Sequence, residues 1–182
     1  VYKNKIYNLT ALNTNAADTG LFATQINGIN CNLIDGNLKV YNNQISLVAP
    51  NTSAVRYLGI VCKGNNSNFQ GNLRIVHNSV LLSGNSVSNG VNGYSSPFSR
   101  ELKQTVFVRN NIFVNARTGS NTNFAIVNDS LSANWTDTSC QHNLYVSSNA
   151  NQMGLWANRT NPLNFASWKS ASNSDSASTY FT

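Results

Sequence analysis

Charge is scarce in this 182-residue chain: 10 % of its residues are Asp, Glu, Lys or Arg, against about 25 % in an ordinary soluble domain. Polar work therefore falls to neutral groups. The chain holds 33 Asn, 22 Ser and 13 Thr, small side chains that compete with helical backbone hydrogen bonds, and that excludes a helical bundle. Long apolar runs are missing as well. None approaches the roughly 18 residues that span a bilayer, so membrane insertion is not expected. Three cysteines, Cys31, Cys62 and Cys140, do not make a disulfide scaffold. With two histidines they show no ligand spacing, so neither a metal nor another cofactor is implied.

Acids are the rarest charged group. Asp18, Asp35, Glu101, Asp129, Asp137 and Asp175 are the full set. Glycoside hydrolysis wants two carboxylates about 5–9.5 Å apart, and each of these acids sits in a different loop context. A calcium-dependent lyase needs clustered carboxylates and a basic residue. Asp129 and Asp137 with Arg109 or Arg117 come nearest to such a set. No paired Asp-Asp and no Gly-His-Gly is present, and no catalytic residue is assigned. The formal net charge is +6, but the twelve Lys and Arg are scattered singly from Lys3 to Lys169. That scatter argues against a nucleic-acid partner and leaves acidic polysaccharide or an anionic cell surface as unspecific attractants.

What is present is a repeat. Val1-Tyr2-Lys3-Asn4-Lys5-Ile6, Val40-Tyr41-Asn42-Asn43-Gln44-Ile45 and Ile75-Val76-His77-Asn78-Ser79-Val80 share one text, as do Phe107-Val108-Arg109-Asn110-Asn111-Ile112 and Ser139-Cys140-Gln141-His142-Asn143-Leu144. Their aliphatic anchors are spaced by 39, 35, 32 and 32 residues. Each unit reads as three short strands. Leu38-Lys39-Val40 and Leu73-Arg74-Ile75 alternate apolar and basic faces. Ile45-Ser46-Leu47 and Val80-Leu81-Leu82 follow the asparagine. A Gly-bearing piece closes the turn, as in Gly28-Ile29, Gly59-Ile60, Gly93-Tyr94 and Gly154-Leu155. Three strands per turn, repeated, describe an all-β solenoid. About five coils are expected, starting near residues 1, 38, 73, 105 and 138, in one domain over 1–182. Parallel strands of successive turns stack about 4.8 Å apart, with Val40, Ile45, Leu47 and Ile60 in the core. The sharp corner favours a left-handed residue, which Asn tolerates. A buried amide also donates to the next turn, so Asn4, Asn43, Asn78, Asn110 and His142 are expected to form a ladder.

This text resembles the right-handed parallel β-helix repeats of very large secreted surface proteins of Bacteroidota. Val40-Tyr41-Asn42-Asn43-Gln44-Ile45-Ser46 with Ala49-Pro50 carries the resemblance, with Val108-Arg109-Asn110-Asn111-Ile112-Phe113-Val114-Asn115. So does Asn143-Leu144-Tyr145 followed by Phe165-Ala166-Ser167-Trp168 and Asp175-Ser176. It implies a right-handed coil and a secreted or surface-anchored location. The implied role is that of a non-enzymatic structural or adhesive segment, with variable loops displayed on a scaffold. Its partners would be other segments of the same long chain, neighbouring surface proteins, or glycans. The alternative is a carbohydrate-active β-helix, either a lyase fragment or a glycan-binding module.

A short helix is expected near 165–171, with Asn164 as its N-cap and Phe165 and Trp168 on one face as a lid on the coil. Both chain ends read as cut through a repeat, so the segment is expected to continue or to dock end-on. Cys31 and Cys62 fall in one column of adjacent turns, either as a disulfide or as stacked thiols; Cys140 reads as a core thiol. Tyr57, Phe69, Tyr94, Phe98, Trp135 and Trp156 are candidates for stacking on sugars. The alternative for each is to cover the flanks of a small core. The long loops from Ala11 to Asn27 and from Gly84 to Gln104 are where specificity is expected.

Overall fold

The computed structural model describes residues 1–9, 25–32, 36–49, 55–63, 72–86, 94–101, 105–119, 122–129, 135, 140–156 and 161–182. Alternating side chains produce three sheets that the chain visits in the same order on every turn. The first stacks Leu38–Tyr41, Asn72–Val76, Thr105–Arg109 and Cys140–Gln141. The second stacks Lys5–Tyr7, Gln44–Ala49, Ser79–Ser86, Ile112–Asn115, Leu144–Ser147 and Thr179–Phe181, with Thr118–Gly119 beside Ser79–Ser86. The third stacks Gln25–Asn32, Arg56–Lys63, Ser96–Glu101, Ile126–Asn128 and Gly154–Trp156. All pairings are parallel except that of Asn161–Leu163, which turns back antiparallel on Gly154–Trp156. This is the parallel β-solenoid that the repeats predict. The second sheet is six strands deep, one more than the five coils expected, because Thr179–Phe181 pairs with Leu144–Ser147.

The core is a column inside the coil. Val40, Ile45, Leu47 and Ile60 are all buried in it. From turn to turn the inward residues of the second sheet run Ile6, Ile45, Val80, Phe113 and Tyr145. The column therefore turns aromatic: Phe113 stacks on Phe98 at 5.8 Å and meets Tyr145 at 6.1 Å. This register corrects the sequence alignment in the last two repeats by one residue. Phe113 and Tyr145, rather than Ile112 and Leu144, continue the column, and Ile112 is exposed.

The third sheet is buried on both faces along Arg56–Cys62. Val61 and Val127 alternate with the core residues Ile60 and Ile126, so they lie on the opposite face of the sheet. There Tyr94 and Phe124 pack with Leu58, Val61, Val127 and Leu155 in a second apolar cluster. At Gly59 any Cβ would come within 2.3 Å of Val80 Cγ1 and 2.4 Å of the Pro97 carbonyl oxygen. Only glycine lets the third sheet approach the second so closely.

The helix spans Phe165–Ser172, and Asn164 Oδ1 caps it by accepting from the Ser167 amide at 2.9 Å. Trp168 is fully buried and lies on Gly154, where an added Cβ would sit 2.3 Å from the indole. Trp135, Trp156 and Trp168 meet edge to face at 5.3–5.9 Å. The helix is thus a lid, held by the Trp168 indole and by Phe165, which packs on Tyr145 and Tyr180.

Candidate functional site

The corner after the first sheet uses two successive residues, each for one purpose. Lys3, Asn42, His77, Asn110 and His142 all take φ of 55–57°, the left-handed conformation that turns the chain. The next residue points its amide inward. Asn4 Nδ2 donates to Asn43 Oδ1 at 2.9 Å, Asn43 to Asn78 at 2.9 Å, Asn78 to Asn111 at 3.1 Å and Asn111 to Asn143 at 3.1 Å. The ladder therefore runs through Asn111 and Asn143. Asn110 and His142, which were expected in it, are exposed corner residues instead. Each buried rung is saturated. Asn78 Nδ2 also donates to the Val40 and Val76 carbonyls, and its Oδ1 accepts from both the Asn43 amide and Nδ2.

At the C-terminal side the ladder ends on an acid. Asn143 Nδ2 donates to Asp175 Oδ1 at 3.3 Å, while the Asn143 amide donates to Ser178 Oγ at 2.9 Å. Asp175 also accepts from Tyr145 OH at 3.0 Å, Ser178 Oγ at 2.6 Å and Trp168 Nε1 at 2.8 Å. Burial pushes its carboxyl up from the ordinary range, and the four donors offset only part of that.

The other described acids are also tied into the frame. Glu101 accepts from Tyr94 OH at 2.9 Å and pairs with Arg56 at 3.3 Å and Lys63 at 4.0 Å. Asp129 follows the last residue of Ile126–Asn128, half-buried. Asp18, Asp35 and Asp137 lie outside the described residues. The grouping of Asp129 with Arg117 does not form: Arg117 is buried, donates to the Asn85 carbonyl and Ser95 Oγ, and lies 4.8 Å from the Tyr57 ring. Arg100 is buried inside the coil, where it donates to Asn128 Oδ1 at 2.8 Å. Burial lowers both guanidiniums to about 10. No group of three metal-ligating side chains occurs among the described residues, and none of the described helices is long and apolar enough to cross a membrane.

The aromatic candidates for sugar stacking prove to be core. Tyr57, Tyr94, Phe98 and Trp135 are buried, and Trp156 is half-buried between Trp135 and Trp168. Both faces of the third sheet are covered, which a strand pattern does not announce. Phe69 lies outside the described residues, as do residues 11–24, 87–93 and 102–104 of the two long loops. The rest of those loops is largely strand. Cys31 and Cys62 are in-register neighbours in adjacent strands, both buried and both free thiols. A hydrogen bond from Cys62 lowers Cys31, whereas burial raises Cys62 well above the ordinary value. Cys140 is a buried thiol in the column of Val40, Ile75 and Val108.

The fold leaves accessible the outer face of the second sheet, where Tyr7, Val48, Leu81 and Ile112 are exposed, and the outer face of the first sheet. One column along the coil runs Tyr2, Tyr41, Val76, Arg109 and Gln141; beside it run Lys39, Arg74 and Phe107. The exposed Tyr2 stacks on Tyr41 at 5.1 Å with the rings 6° from parallel. The guanidiniums of Arg74 and Arg109 lie 5.3 and 5.2 Å from the Phe107 ring. Beyond Arg109 the face ends in a cleft of about 690 Å³, between the first sheet and the C-terminal half of the helix. Arg109, Gln141, Lys169, Ser170, Asn173 and Ser174 line it. The far wall is fixed to the sheet, because Gln141 Oε1 accepts from the Ala177 amide at 3.0 Å and the Asp175 amide donates to the Cys140 carbonyl at 2.8 Å.

Comparison with known proteins returns no matching family model, no matching curated protein and no matching solved structure.

Proposed function

We propose that this chain is a non-enzymatic structural and adhesive segment of a large extracellular surface protein, of the adhesin-like kind found in Bacteroidota. The observation that carries the reading is the placement of the acids. Asp175 terminates the ladder and Glu101 is bound by two cations and a phenol. Glu101 and Asp129 follow the in-register pair Arg100 and Asn128 on adjacent strands, but Glu101 is already held by Arg56, Lys63 and Tyr94, which supports a framework role for it over general acid–base cleavage of a sugar chain. A rigid coil of constant rise that holds its connecting segments at fixed spacing suits multivalent attachment, in which avidity grows with repetition. Its partners are neighbouring segments of the same chain, other surface proteins and glycans.

The test is a depolymerisation assay on the purified chain against a panel of neutral and acidic polysaccharides, read by chain length of the product. No shortening is expected. Shortening abolished by Asp129→Asn would overturn the reading in favour of a carbohydrate-active β-helix. A glycan-binding role without cleavage has its own support in the polar, cation-bearing cleft.

A further inference from the structure

We infer that the cleft and the adjoining outer face of the first sheet form a binding site for an acidic polysaccharide lying along the coil axis. This inference rests on the adhesive reading above and names its ligand class.

Three observations point the same way. Arg109 comes from a strand and Lys169 from the helix, so two basic residues from elements distant in sequence line one cleft, the Lys169 ammonium lying 4.8 Å from the Phe165 ring. Among the described residues, the ion pairs all use Glu101, on the third sheet, and no carboxylate lines the cleft. The remaining lining groups are neutral amides and hydroxyls, including Gln141, Ser170 and Asn173. That proportion of many neutral hydrogen-bonders to few cations fits a sugar ring, which carries several hydroxyls for each acidic group. A nucleic-acid backbone, with one charge on every nucleotide, calls for a denser basic lining.

The approach to the cleft continues the match. Lys39 and Arg74 are in-register neighbours on adjacent turns, about 4.8 Å apart, and Arg109 lies one turn further on in the column beside them. One pyranose unit has a similar length. At the far end the exposed Tyr2, stacked on the half-buried Tyr41, adds an aromatic surface beside the path of the sugar chain. The cleft itself is preformed, because its wall is tied to the sheet through Gln141 and Asp175. Such anchoring reduces the ordering cost of binding.

The experiment titrates the 182-residue chain with polygalacturonate, heparin, dextran and a single-stranded oligonucleotide at low ionic strength. Binding of polygalacturonate or heparin is expected, with dextran and the oligonucleotide much weaker, and the tighter of the first two assigns carboxylate or sulfate as the acid. Arg109→Ala and Lys169→Ala are each expected to weaken it by about ten-fold. Lys5→Ala, on the second sheet, removes the same charge and leaves binding unchanged. A thermal melt of each variant confirms folding. Equal loss in Lys5→Ala, equal binding of the oligonucleotide, or no binding of either acidic glycan overturns the inference. Binding accompanied by shortening of the polysaccharide leaves the ligand class standing but overturns the non-enzymatic reading, so the two failures are distinguishable.

Discussion

Asn78 and Asn110 are the same amino acid one register position apart in function, and they should respond to substitution very differently. Asn78→Ala removes an acceptor from two donors on the previous rung and a donor from two carbonyls. It should cost about 3 kcal/mol, read by urea denaturation. Asn110→Gly keeps the positive φ that the corner needs, and its stability should change by less than about 0.5 kcal/mol. The two roles are hard to separate in sequence because Asn42-Asn43 and Asn110-Asn111 are doublets. Arg109 and Gln141 stand before the last two corners, in register with Tyr41 and Val76 of earlier turns, so the apolar text is displaced by one residue there. Asp175 makes a prediction of a different kind. Its carboxyl is raised in the folded state above the ordinary 3.8, so the folded chain holds that proton more tightly than the unfolded chain. Its stabilising contribution is complete below about pH 4 and is lost as pH rises through the folded value. Wild-type melting temperature should therefore fall across that window relative to Asp175→Asn, which has nothing to titrate there.

At the scale of elements, the helix and the third sheet depend on each other through Trp168, which packs on Gly154 and Trp156. Trp168 covers Gly154 so closely that Gly154→Ala must displace the indole, at about 1–3 kcal/mol. In a Trp168→Leu background the same substitution should cost measurably less, a coupling that a double-mutant cycle in urea would detect. The helix was legible beforehand, since Asn164, Phe165 and Trp168 carry a cap and a face in sequence. The strand Ser96–Glu101 was not, and Gly93-Tyr94 was read in its place. That strand's inward residues are Phe98 and Arg100, and a guanidinium inside a coil breaks the apolar alternation by which strands are recognised. Tyr94 instead packs on the outer cluster, a second layer with no periodic signature.

For the whole molecule, the stack sets which parts are protected. Middle strands are hydrogen-bonded on both sides, while Lys5–Tyr7 and Thr179–Phe181 have one neighbour each. Native-state hydrogen exchange should be slowest in Ile75, Val80 and Val108 and fastest in those two outer strands. The three buried thiols should likewise stay unreactive toward a thiol reagent until denaturant is added. Half of the proposed binding face was legible, because Lys39 and Arg74 alternate with apolar neighbours in sequence. The cleft was not, because Lys169 meets Arg109 only once the helix has docked. Ladder partners stand 39, 35, 33 and 32 residues apart, yet the corners share one backbone geometry. Growth is therefore tolerated in the long arcs and forbidden at the bend. One residue inserted between His77 and Asn78 would turn the following strand Ser79–Ser86 out of phase with its neighbours, whereas several added to an arc would pass unnoticed by the interior.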